Sequence, residues 1–191
     1  APAASDDNGI STAATLSGAG NLTINGALAD GGSVTLDDAR QVIITSAGDD
    51  SGDTFTVTGT DEAGDAQTEA ITGADTGVAT GSKYFTTITQ IAASGASAGN
   101  VEAGTGTSVA AKITRNRVRL RGLQYVCNTT GGTIEVKNTS ATGSSLYKFD
   151  ANNVDDTIYP SIPDGGIVFS GGAYVVYNQT HVVSFTMFYE G

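Results

Sequence analysis

The most concentrated chemistry in the chain is a run of arginines at every second position, Arg115, Arg117, Arg119 and Arg121. In an extended strand a period of two puts all four on one face, with Asn116, Val118 and Leu120 on the other. Four guanidiniums in a row repel one another, so something acidic is expected opposite them: the acidic first half of the chain or the surface of a partner. The alternative is a solvated strand face. Exposed ion pairs contribute only about 0–1 kcal/mol each, so such a stripe sets orientation and register more than strength.

Catalytic constellations are thin. Gly95-Ala96-Ser97-Ala98-Gly99 matches the G-x-S-x-G nucleophile pattern, but that elbow needs a following helix, and Asn100-Val101-Glu102-Ala103-Gly104 does not supply one. The one histidine, His181, has no paired acid motif and reads as a hydrogen-bonded strand residue. One Cys and one His cannot make a four-ligand zinc site. Asp49, Asp50, Ser51 and Asp53 form an acidic turn that could offer oxygens to Ca²⁺, although their spacing is not that of an EF-hand and a solvated turn explains them. Cys127, the only cysteine, reads as a small buried group at the end of a strand. With no Walker A or G-x-G-x-x-G loop either, the expectation is a protein that is not an enzyme, with no cofactor and no metal.

The elements that must position these residues are strands. The 191 residues include 26 Gly and only 15% charged residues, against roughly 25% in an ordinary globular domain. No window repeats apolar residues at helical spacing. Thr, Val, Ile and aromatic residues are grouped in short runs bounded by Gly, Asn and Asp, the pattern of strands and turns. In Phe55-Thr56-Val57-Thr58, for example, apolar and hydroxyl side chains alternate, which predicts a half-buried strand. The sequence therefore predicts an all-β chain of two small antiparallel β-sandwich or jelly-roll-like domains behind an extended N-terminal arm.

The boundaries follow from composition. Residues 1–20 hold only Ile10 and Leu16 as apolar anchors, too few for a core, and read as an arm that orders against something else. Residues 21–111 form an acidic β domain. Residues 112–191 form a second β domain that holds ten of the thirteen Phe and Tyr residues. Residues 1–111 carry 14 acids against two bases (−12) and residues 112–191 carry six acids against seven bases (+1), which together give the formal charge of −11. An acidic half repels phosphate, so nucleic acid is not expected as a partner. No run of 18 apolar residues is present, and the first residues lack the basic and apolar regions of a signal peptide, so no membrane contact is expected. The acidic domain has only Phe55, Tyr84 and Phe85 as large aromatic residues. A domain that buries so little large side-chain surface is expected to lean on a partner, most simply a copy of itself.

Two stretches carry a family likeness. The first is Gln41-Val-Ile-Ile-Thr-Ser-Ala-Gly-Asp-Asp-Ser-Gly-Asp-Thr-Phe-Thr-Val-Thr-Gly-Thr-Asp-Glu-Ala-Gly-Asp, continued by Glu69-Ala-Ile-Thr-Gly and Lys83-Tyr-Phe-Thr-Thr-Ile. The second is Ile162-Pro-Asp-Gly-Gly-Ile-Val-Phe-Ser-Gly-Gly-Ala-Tyr-Val-Val with Phe185-Thr-Met-Phe-Tyr-Glu. Together they cover 57 of the 191 residues, and the pattern resembles segments of structural proteins of tailed bacteriophages, including marine and cyanobacterial phages. That resemblance implies a virion component assembled in the host cytoplasm. It would be a capsid decoration (cement) protein bound to the major capsid protein or other virion proteins as a homo-oligomer, with a trimer favoured. A tail, neck or fibre protein with a receptor- or glycan-binding role is the alternative. The resemblance implies no catalytic residues.

On this reading the contacts with capsid or subunit fall on Ala1, Pro2, Ile10 and Leu16 of the arm, on the four arginines, and on Tyr159 and Ile162 of a Pro/Gly-rich loop. For the last two, burial in their own core is an equal alternative. An arm can add along a free sheet edge, where backbone hydrogen bonds give affinity without large side chains.

Overall fold

The computed structural model describes residues 4–151 and 157–191, and over these the chain is all-β with antiparallel sheets and no helix. It divides into two compact units, Ser5–Gly106 and Thr107–Gly191, the latter together with Ala4. The division falls inside a strand rather than at residue 111.

In the first unit β1 (Ser11–Ala14), β2 (Gly20–Asn21) and β3 (Ala29–Asp30) precede a long strand, β4 (Ser33–Asp49). Next come β5 (Thr54–Thr60), β6 (Ala66–Thr72), β7 (Asp75–Thr80), β8 (Phe85–Ala93) and the opening residues of β9 (Val101–Thr114). β8 pairs with β2, β4 and β5, and β5 carries β6 on its other side. As the alternation requires, Phe55 and Val57 of β5 are buried and the flanking threonines are half-buried. They join Val34, Val42, Ile44, Phe85, Ile88 and Ile91 in one core. The Asp61–Asp65 turn uses its own chemistry: Asp61 Oδ1 accepts from the N–H groups of Ala63 and Asp65, both at 2.8 Å, and Gly64 takes φ 85°.

One long strand is irregular, and one expectation fails in this unit. Ser33–Leu36 and Arg40–Thr45 are one strand, because Asp37–Ala39 form an irregularity between the pairs Thr35↔Thr87 and Arg40↔Phe85 instead of a turn. The residues 5–20 of the expected arm are folded into the unit. β1 pairs with β9 (Ser11↔Ala103), β2 pairs with β8 (Gly20↔Ala93), Ile10 is fully buried and Leu16 packs half-buried against the same core. Two apolar side chains cannot make a core, but they can complete one that other strands supply. Ala1 and Pro2 lie outside the described residues.

The second unit has two sheets whose side chains meet in one core. The first sheet runs β12 (Ser145–Ala151), β11 (Gly132–Asn138), β15 (Ala173–Asn178) and the end of β9. In the second, β10 (Val118–Cys127) lies between β16 (Val182–Glu190) and the short strands β13 (Thr157–Ile158) and β14 (Ile167–Phe169). Leu120, Leu123 and Tyr125 of β10 and Phe169 of β14 face Ile134 and Val136 of β11 and Val175 and Tyr177 of β15.

Candidate functional site

The arginine stripe does not form as the spacing predicts. β9 ends at Thr114 and β10 begins at Val118, so exposed Arg115 and Arg117 sit in the connection rather than on a strand face. Within β10, the pairs Leu120↔Tyr189 and Gly122↔Phe188 leave Arg121 as an extra residue, a β-bulge. The bulge resets the alternation, so that Val118 and Leu120 before it and Leu123, Tyr125 and Cys127 after it all point into the core. Unbroken alternation would have turned the second set outward.

The acidic group opposite Arg119 and Arg121 belongs to their own unit. Glu190 Oε1 lies 3.5 Å from Arg119 Nε and 3.2 Å from Arg121 Nε. Arg121 Nη1 also donates to the carbonyl of Asp164 at 3.0 Å, and Arg119 Nη1 donates to that of Gly165. The two arginines thus clamp the Pro163–Gly166 loop and the last strand. Of the two residues expected at that loop, Tyr159 is 69% exposed, whereas Ile162 packs half-buried against the core.

The other candidates are structural. Ser97 accepts from the N–H of Leu16 at 2.8 Å and donates to the carbonyl of Gly99 at 2.7 Å, so its hydroxyl pins the N-terminal segment. Cys127 is buried in the core of the second unit. Asp49 Oδ1 accepts from the N–H and hydroxyl of Ser51, which holds its carboxyl below the usual carboxylate range. Asp50 is buried and accepts from the N–H of Ala98, while Asp53 accepts from the hydroxyl of Ser94. Asp49 is thus held within its own turn while Asp50 and Asp53 tie that turn to Ala98 and Ser94, and among the described residues no three His, Cys, Asp or Glu side chains gather as a metal site.

Two surface features of the second unit remain. One is a cleft of about 410 Å³ lined by Glu135, Asp150, Tyr177, Asn178 and His181, among others. Its carboxylates are balanced by lysines: Glu135 lies 3.5 Å from Lys137 and 3.9 Å from Lys148, and Asp150 lies 4.0 Å from Lys148. Such a cleft suits a neutral polar ligand better than a cation.

The other feature is a set of exposed apolar side chains on β16. Val183, Phe188 and Tyr189 are each more than half exposed, while Phe185 and Met187 lean onto the core. Alternation alone predicts Val183, Phe185, Met187 and Tyr189 on one inward face. Val183 escapes because it is the extra residue between the pairs Cys127↔Val182 and Val126↔Ser184.

Comparison with known proteins found no matching family model, no matching curated protein and no matching solved structure.

Proposed function

We propose that this chain is a structural protein of a phage virion, a decoration (cement) protein that binds the outer shell as a symmetric oligomer and stabilises it. The observation that carries this reading is where its apolar surface lies. Of the six large hydrophobic residues exposed among the described residues, five (Leu146, Tyr159, Val183, Phe188, Tyr189) belong to the near-neutral second unit and one, Val78, to the first. Three of the five, Val183, Phe188 and Tyr189, share one strand, β16, and exposed apolar groups gathered in one place suit a surface made to be covered. The charge supports the same division: the first unit, at −12, keeps the chain soluble and repels copies of itself, while the second, at +1, can approach a neighbour. The family likeness supplies the kind of neighbour, a phage shell.

The test is copy number and binding. Quantitative mass spectrometry of purified particles should find the protein in hundreds of copies, and the purified chain should co-sediment with shells that lack it. A handful of copies would place it in tail or neck, and absence from particles would end the virion reading.

A second reading, a fibre domain that binds receptor glycans, is favoured by the polar cleft beside Tyr177 and Asn178. Binding of the isolated protein to host cells, lost in Asn178→Ala, is its expected signature.

A further inference from the structure

We infer that β16 is a docking edge for a second copy of this chain, joined antiparallel about a two-fold axis near Thr186. The inference rests on the structural role proposed above and names the surface that makes the oligomer. Among the described residues β16 pairs with β10 alone, so its other side presents backbone N–H and carbonyl groups over nine residues. An open edge of that length invites strand pairing, and proteins usually block it with charge, proline or an inward-pointing ionised group.

The two end strands of the longest sheet path, β12 and β6, are blocked in these ways. β12 carries Lys148 and Asp150, both well exposed. β6 turns Glu69 inward, where it is 8% exposed. From Val182 to Tyr189, β16 has no charged residue and no proline. Glu190 follows, and its charge is already met by Arg119 and Arg121. A nine-residue edge left unguarded while those two are guarded is an edge kept for pairing.

The occupant follows from charge and sequence. A copy can approach through the second unit, whose net charge is +1, where the first unit at −12 would repel it. With Thr186 opposite Thr186, Val183 meets Tyr189, so the register brings together a Thr–Thr pair and two aromatic–β-branched pairs, of the kind that stabilise antiparallel strands. The two Glu190 side chains then lie at opposite ends, roughly 27 Å apart at about 3.4 Å per residue, beyond the screening length of about 8 Å at physiological salt. Parallel pairing would set Glu190 against Glu190. Two-fold pairing also closes on itself, which spends the edge and prevents fibre growth.

Sedimentation equilibrium of the full chain tests this. The expected species has twice the 19.2 kDa mass of one chain, and amide exchange over residues 183–189 should slow as concentration rises. Thr186 is exposed, so Thr186→Lys and Thr186→Glu should each keep the circular dichroism spectrum of the wild type and sediment as monomers. Mixed together, they should restore the two-chain species. A wild-type chain that stays monomeric, or an oligomer indifferent to both variants, overturns the inference. If either variant fails to fold, concentration-independent exchange in the wild type overturns it instead. Shell binding is read separately: a dimer that ignores shells leaves the pairing intact and removes the decoration role, and a monomer that binds shells does the reverse.

Discussion

Glu69 Oε1 accepts both the backbone N–H of Ser82, at 2.5 Å, and the Ser82 hydroxyl, at 2.8 Å, so one carboxylate on β6 holds the loop that leads into β8. The same oxygen accepts from the N–H of Lys83 at 3.1 Å, and Gly81 passes so close that a Cβ there would stand 2.6 Å from Oε2. The site is built around an acceptor. It spends a nearly buried charge on backbone donors and, by pointing that charge inward, keeps the β6 edge from adding strands.

Glu69→Ala is therefore expected to lower the stability of the first unit by about 1–3 kcal/mol, the cost of leaving enclosed donors unmet. Urea unfolding of wild type and variant gives the difference, and protease cleavage near Ser82 should quicken in the variant.

The N-terminal segment gives the second prediction. Because Ile10 is fully buried in the core of the first unit, Ile10→Ala is expected to cost about 2–5 kcal/mol, as for other large-to-small core changes. Gly26 is a companion probe, since a Cβ there would stand 2.3 Å from the Gly9 carbonyl carbon and force the two segments apart. Chemical unfolding measures both, and a loss under about 0.5 kcal/mol, ordinary for surface positions, would mean that the segment is a detachable arm after all.

The misreading of that segment shows where sequence reasoning stops. Strands such as β5 were legible because their alternation is complete within themselves, and the Asp61 turn because its bonds are local. Ile10 and Leu16 were read as an arm because a segment's own apolar content does not reveal a core that Leu22, Val101 and Ala103 complete. The arginine stripe departs for a different reason: the chain leaves β9 at Thr114 and enters β10 at Val118, which takes Arg115 and Arg117 off the strand. The extra residues Arg121 and Val183 exist only relative to the partner strand, the first inverting the later side chains of β10 and the second turning Val183 away from the face of Phe185 and Met187. The exposed surface of β16 depends on its bulge and on which strand is left at an edge, so the residues were visible and their placement was not.

The clamp between Arg119, Arg121 and Glu190 yields a prediction of small size. All three side chains are a third to a half exposed, where ion pairs are worth about 0–1 kcal/mol. Glu190→Gln should change unfolding free energy by less than about 1 kcal/mol, and by less still at 1 M salt, where the screening length is about 3 Å. A loss of several kcal/mol would show that the clamp is a main support of the second unit.

The last prediction concerns alkaline pH and Tyr125. Its ring is buried in the second core with its edge toward Phe149, the ring centres 5.4 Å apart. Burial, then the nearby Cys127, Tyr147 and Asp150, push its phenol from 10.0 up to about 12. The folded unit therefore holds the phenol neutral where the unfolded chain has already released the proton. With the folded value above the unfolded one, this contribution is fully present below pH 10 and is lost as the pH climbs through about 12. The melting temperature should fall across that window. Tyr125→Phe keeps the ring and its contact with Phe149 but removes the proton, so the variant should match wild type at pH 7 and lose less stability between pH 10 and 12. Equal losses in the two proteins would assign the alkaline transition to other groups.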